Sequence, residues 1–142
     1  MSSKNPILGS GLWTYRSLIN NPDLAADFNS LEFGRGNLLI ETTQSGELSG
    51  KIFGPGWELI LNGSVQFGNP AMLWFQGSGV VGGSQWIYDY LCYVVPHIPN
   101  GINQVPALVG SVTRAIPHPN SQGGTNPAGV VASFYAVQNL ER

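Results

Sequence analysis

Between residues 57 and 67, Leu59, Leu61, Val65 and Phe67 fall on one side of an extended chain and Glu58, Asn62, Ser64 and Gln66 on the other, with Ile60 the exception. Side chains alternate across a strand, so this period of two predicts a strand with one dry face. Enrichment in Trp, Tyr, Val and Ile extends the same reading to residues 12–19, 31–43, 47–53, 72–77, 85–95, 107–116 and 130–138. The paired glycines Gly34 and Gly36 mark a bulge or bend inside the second of these strands. The glycine-rich run over residues 77–83 is expected to act as a hinge before the sixth.

Turn residues sit between the strands, at Gln44-Ser45-Gly46, Gly54-Pro55-Gly56 and Gly68-Asn69-Pro70. Residues 22–28 suit one helical turn or a loop, and the prolines of 96–106 and 117–127 predict two longer loops. Eight strands in a row with almost no helix predict an all-β chain, an eight-stranded antiparallel up-and-down β-barrel, because closure alone removes both exposed edges. A two-sheet β-sandwich is the alternative that the same pattern permits.

Composition narrows this picture. A chain of 142 residues is read as a single domain, residues 1–142, long enough to bury a core without cross-links. Charged residues are only 10% of it, against roughly 25% in an ordinary soluble protein, while Gly 19 and Pro 10 supply many turns. The net charge of −2 and the scattered Lys4, Arg16, Arg35, Lys51, Arg114 and Arg142 argue against nucleic acid as a partner. Cys92 is alone, so no intramolecular disulfide forms. The first residues have no signal-peptide pattern and no apolar run reaches membrane-spanning length, so the expectation is a soluble, cytoplasmic protein with no membrane partner.

Gly11-Leu12-Trp13, at the head of the first strand, resembles the Gly-x-Trp that opens the barrels of calycins, the group of lipocalins, fatty-acid-binding proteins and avidins. The resemblance covers the order of strands over most of the chain, with that triplet as its one motif. It implies a barrel with a ligand cavity, in which Trp13 closes one end and packs near a late arginine, Arg114 or Arg142. It carries over no biotin site.

Candidate chemistry gathers on the sixth strand. Alternation puts Trp86, Tyr88, Tyr90, Cys92 and Val94 on one face and Ile87, Asp89, Leu91, Tyr93 and Val95 on the other. With the first face inward the interior is an aromatic box for a flat or apolar ligand. With the second inward, Asp89 is a buried carboxylate and a candidate general acid or base. The structural reading sets Asp89 outside, paired with an arginine, with the rings filling the core. Arg114 is the one charge of the seventh strand, so Asp89 and Arg114 are expected to meet across the two strands, or Arg114 to hold a ligand carboxylate or carbonyl. Trp74 and Gln76 on the fifth strand, with Tyr93, complete the candidate ligand-binding set.

His97 and His118 follow the sixth and seventh strands beside prolines, at opposite ends of a meander, so they are not expected to share a metal. Each reads as an ordinary loop histidine, or as a proton carrier at a cavity mouth. No dinucleotide, phosphate or nucleophile motif is present, and no cofactor is implied. The function expected is a small-molecule-binding barrel. The alternatives are a cofactor-independent isomerase, cyclase or dehydratase using Asp89 and tyrosines, and an assembly protein. The low surface charge predicts a homo-oligomer in each case.

Overall fold

The computed structural model describes residues 9–140, which places Arg142 outside the described residues. Eight strands form a closed antiparallel barrel: β1 (Gly11–Ile19), β2 (Glu32–Thr42), β3 (Glu47–Gly54), β4 (Trp57–Gln66), β5 (Met72–Val81), β6 (Ser84–Val94), β7 (Ala107–Arg114) and a last strand, β10 (Val131–Gln138). Two short strands, β8 (His118–Pro119) and β9 (Thr125–Asn126), pair as a ribbon within the connection between β7 and β10. Each barrel strand pairs with its chain neighbour, and β10 returns to pair with β1, so neither edge is left open. The meander expected from the alternating pattern is therefore the architecture, not the sandwich. Among the described residues no helix is long and apolar enough to cross a membrane.

Alternation decides which side of each strand faces in. On β4, Leu59, Leu61 and Val65 are buried while Glu58, Asn62, Ser64 and Gln66 are exposed. Ile60 lies outside, and Phe67, just past the end of β4, is exposed rather than inward. The segment before β2 contains a 3-10 turn, Phe28–Leu31, capped by the Asp27 carboxylate accepting from the Asn29 N–H.

The run expected to be a hinge is a strand. β5 continues through Gly77 and Gly79 to Val81, and the chain reverses only at Gly82-Gly83, whose φ values of 58° and 85° give a two-residue hairpin turn. Gly77 and Gly79 take inward positions opposite Tyr88 and Trp86. A Cβ on Gly77 would stand 3.3 Å from both Leu61 Cδ2 and Tyr90 Cε1, and one on Gly79 2.7 Å from the Glu58 carbonyl oxygen. These glycines make room for large interior neighbours on adjoining strands without breaking the ladder.

A second irregularity places a ring. Ser17 pairs with Gly34 and Leu18 with Glu32, so Phe33 is an extra residue on β2. The bulge expected near Gly34 is thus centred on Phe33, and Phe33 lines the barrel interior near its mouth.

Candidate functional site

The two halves of the barrel differ. At the end of the first residues of β1, Trp13, Ile40, Leu48, Leu73, Cys92 and Leu108 are buried against one another, and the Trp13 indole N–H donates to the Gly9 carbonyl at 3.0 Å. The other half holds a cavity of about 460 Å³, in the range that accommodates small ligands. Its walls carry the rings of Tyr15, Phe33, Trp57, Trp86, Tyr88 and Tyr90, with Ile52, Leu59, Val81 and Val112 between them.

The inward face of β6 is the aromatic one, so Trp86, Tyr88 and Tyr90 line the cavity as one of the two alternations predicted. Tyr90 stacks on Phe75 with centroids 4.9 Å apart and meets Tyr15 edge-on at 6.2 Å. Burial raises the Tyr15 and Tyr90 phenols well above the ordinary tyrosine value. No hydrogen-bond partner holds the Tyr90 hydroxyl among the described residues, although only 3% of the residue is exposed. A buried hydroxyl without a partner is costly, so its free donor marks the cavity wall as polar at that point.

Arg114 closes the seventh strand directly opposite Tyr88, and its Nε donates to the Tyr88 oxygen at 2.9 Å. A second donor, Nη1, reaches the Pro127 carbonyl at 3.1 Å, and the guanidinium lies over the Phe33 ring at 4.9 Å. Arg114 is 8% exposed and pairs with no carboxylate among the described residues. The expected Asp89–Arg114 pair is not formed. Asp89 stands opposite Thr113, one residue out of step, and consecutive strand positions face opposite sides of the sheet.

Asp89 is accordingly on the outer surface, exposed, accepting a hydrogen bond from Gln76 Nε2 at 2.9 Å. Gln76, Trp74 and Tyr93 share that outer face and do not line the cavity. The calycin-type contact of Trp13 with Arg114 is also absent: Trp13 is level with Gln138, at the opposite end of the barrel from Arg114. The other candidate, Arg142, lies outside the described residues.

His118, expected as an ordinary loop histidine or as a proton carrier at a cavity mouth, packs behind the cavity wall. β8 folds back against β6, leaving His118 only 3% exposed. Its ring stacks on Trp86 at 3.9 Å with an interplanar angle of 10°, and its Nε2 is 2.7 Å from the Tyr88 oxygen. The other nitrogen, Nδ1, is 3.0 Å from the Pro119 carbonyl, which only accepts, so Nδ1 carries a hydrogen, and in the neutral ring Nε2 is then the acceptor. With the ring neutral, the order of donation is Arg114 Nε–H to the Tyr88 oxygen, Tyr88 O–H to His118 Nε2, and His118 Nδ1–H to the Pro119 carbonyl.

At the rim, Glu32 accepts from both Arg16 and Arg35, and the Arg35 hydrogen bonds hold its carboxyl below the usual carboxylate range. Arg16 also donates to Asn29, tying the segment between β1 and β2 to the barrel wall. The chain matches no protein-family model, no curated protein and no solved structure.

Proposed function

We propose that the protein is a small-molecule-binding barrel of calycin-like type, enclosing a ligand with an apolar or aromatic body and one polar oxygen. The half-hollow interior carries the reading: six rings surround about 460 Å³ at one end, while the other end is filled by aliphatic side chains and Trp13. The Tyr90 hydroxyl, buried and without a protein partner, supports a polar group on that ligand, because pairing with it removes a desolvation cost. The strand order and the place of Trp13 at the filled end support the calycin-like character.

Titration with anilinonaphthalene sulfonate, whose emission rises in apolar surroundings, tests the reading. The native protein is expected to bind it saturably, and Val112→Phe, which puts a ring into the cavity wall, to lose that binding while keeping the fold. Saturable binding unchanged in Val112→Phe, or none in the native protein, would contradict it.

A second proposal rests on the outside of the barrel. Met72, Tyr93, Val109 and Tyr135 are successive cross-strand partners over β5, β6, β7 and β10, and Tyr135 is 58% exposed. Trp74, 60% exposed, lies on the same outer face of β5. A contiguous apolar row of this kind favours self-association into a homo-oligomer. Sedimentation equilibrium is expected to give a multimer that Tyr93→Lys with Tyr135→Lys converts to monomer; a native monomer at high concentration would refute the proposal.

A further inference from the structure

We infer that Tyr88 and His118 form a proton relay that ionises a weakly acidic hydroxyl, such as a phenol, on a ligand in the cavity. The inference rests on the cavity reading above and adds the chemical class of the ligand.

With His118 neutral, the Tyr88 oxygen accepts from Arg114 Nε and gives its own hydrogen to His118 Nε2, which leaves one lone pair. Tyr88 is the member of the three that lines the cavity, so its remaining capacity is to accept a hydrogen from a ligand. With a hydroxyl there, the network has two fully bonded arrangements. In the first, the ligand O–H donates to Tyr88 and Tyr88 O–H donates to neutral His118. In the second, the ligand O–H bond has broken and its hydrogen is on the Tyr88 oxygen, while the former Tyr88 hydrogen is on Nε2. Tyr88 then donates to the ligand oxyanion, and His118 Nε2–H donates to Tyr88. One negative charge appears on the ligand and one positive charge on the imidazole, so the total is unchanged.

Arg114 donates to the same oxygen in both arrangements and holds it in place. Two features of the surroundings act on the second one. Arg114 brings a positive charge that no carboxylate offsets among the described residues, which stabilises an anion beside Tyr88 and opposes a charge on the imidazole that shares the Tyr88 oxygen. The Trp86 face lies flat against His118, a surface that attracts a cationic ring. Two other titratable groups act on Tyr90: Tyr15, a phenol that burial keeps protonated, and Asp89 on the outer face of β6, while Arg35, which also lines the cavity, is paired with Glu32. His118 acts through Tyr88 and does not line the cavity.

The test uses para-nitrophenol, whose phenolate has its own visible absorption band, at a pH where the free probe is mainly protonated. Quenching of tryptophan emission reports binding, and the visible band reports ionisation. The native protein is expected to raise the phenolate-to-phenol ratio of the bound probe about tenfold over the free probe, equivalent to one pKa unit. Tyr88→Phe is expected to bind the probe and leave that ratio unchanged. His118→Gln decides the matter if Tyr88→Phe fails to fold: its amide oxygen still accepts from Tyr88 O–H but takes up no proton. It is expected to retain binding and lose the tenfold rise. Quenching in the native protein with the free-solution ratio, or an undiminished rise in His118→Gln, would overturn the relay alone. Absence of quenching in the native protein would overturn the relay and the cavity reading together.

Discussion

Arg114 and Tyr88 face each other across β6 and β7, and the guanidinium Nε donates to the phenol oxygen at 2.9 Å. This contact joins the barrel wall to the long connection after β7, because the same guanidinium also holds the Pro127 carbonyl. Arg114→Leu is therefore expected to lower stability by about 3 kcal/mol, since it strips hydrogen bonds from buried acceptors. Urea denaturation measures the loss. Hydrogen exchange should show it accompanied by faster exchange in residues 115–130, and equal protection there in both proteins would contradict the tethering role.

The filled and hollow halves predict unequal costs for the same truncation. Leu73 is fully enclosed in the filled half, and Leu73→Ala is expected to cost about 3 to 4 kcal/mol through lost contacts and a new cavity. Leu59 borders space that already exists, so Leu59→Ala should cost about 2 kcal/mol. Urea midpoints in the reverse order would count against a hollow mouth and a packed base.

Alkaline pH is expected to weaken the fold. Burial pushes the Cys92 thiol up from about 9 to about 12 and raises Tyr15 and Tyr90 in the same direction. Between the unfolded and folded values the folded state holds more protons, so stability is complete below about pH 9 and falls as pH rises, by up to about 1.4 kcal/mol per pH unit for each group. Tyr90→Phe should flatten that fall and cost little at neutral pH, because the hydroxyl it removes has no partner among the described residues. The slope of unfolding free energy against pH, compared between native protein and variant, tests both statements.

Asp89 lies outside the cavity with Gln76 as its partner. Asp89→Asn should change stability by no more than about 0.5 kcal/mol and leave binding of anilinonaphthalene sulfonate unaltered. A tenfold loss of binding in this variant would return Asp89 to the site.

The strands were legible because burial and exposure alternate along them, as at Leu59, Leu61 and Val65 on β4. Periodicity has no preference between the two faces of β6, since Trp86, Tyr88 and Tyr90 alternate with Ile87, Leu91 and Tyr93 and both sets are largely apolar. Burial resolves that choice, with Tyr88, Tyr90 and Cys92 enclosed and Asp89 and Tyr93 exposed, and the register on β7 then sets Tyr88 against Arg114 and Asp89 against Thr113. Gly77 and Gly79 suggested a hinge because local sequence does not reveal that Leu61, Tyr90 and Leu59 crowd them from other strands. The contact of His118 with Tyr88 was hidden by distance along the chain, 30 residues, in a segment whose prolines read as loop. The available signal was a lone strand arginine, Arg114, followed four residues later by a histidine between prolines.

The four tryptophans divide the molecule into regions: Trp13 in the filled base, Trp57 and Trp86 at the cavity, and Trp74 on the outer wall. A nitrogen–proton correlation spectrum of the indole N–H groups, recorded during titration with para-nitrophenol, therefore reports where a small aromatic molecule settles. The account predicts that the Trp57 and Trp86 signals move together and saturate while those of Trp13 and Trp74 stay fixed. Movement of Trp74 with Trp57 and Trp86 unchanged would contradict it.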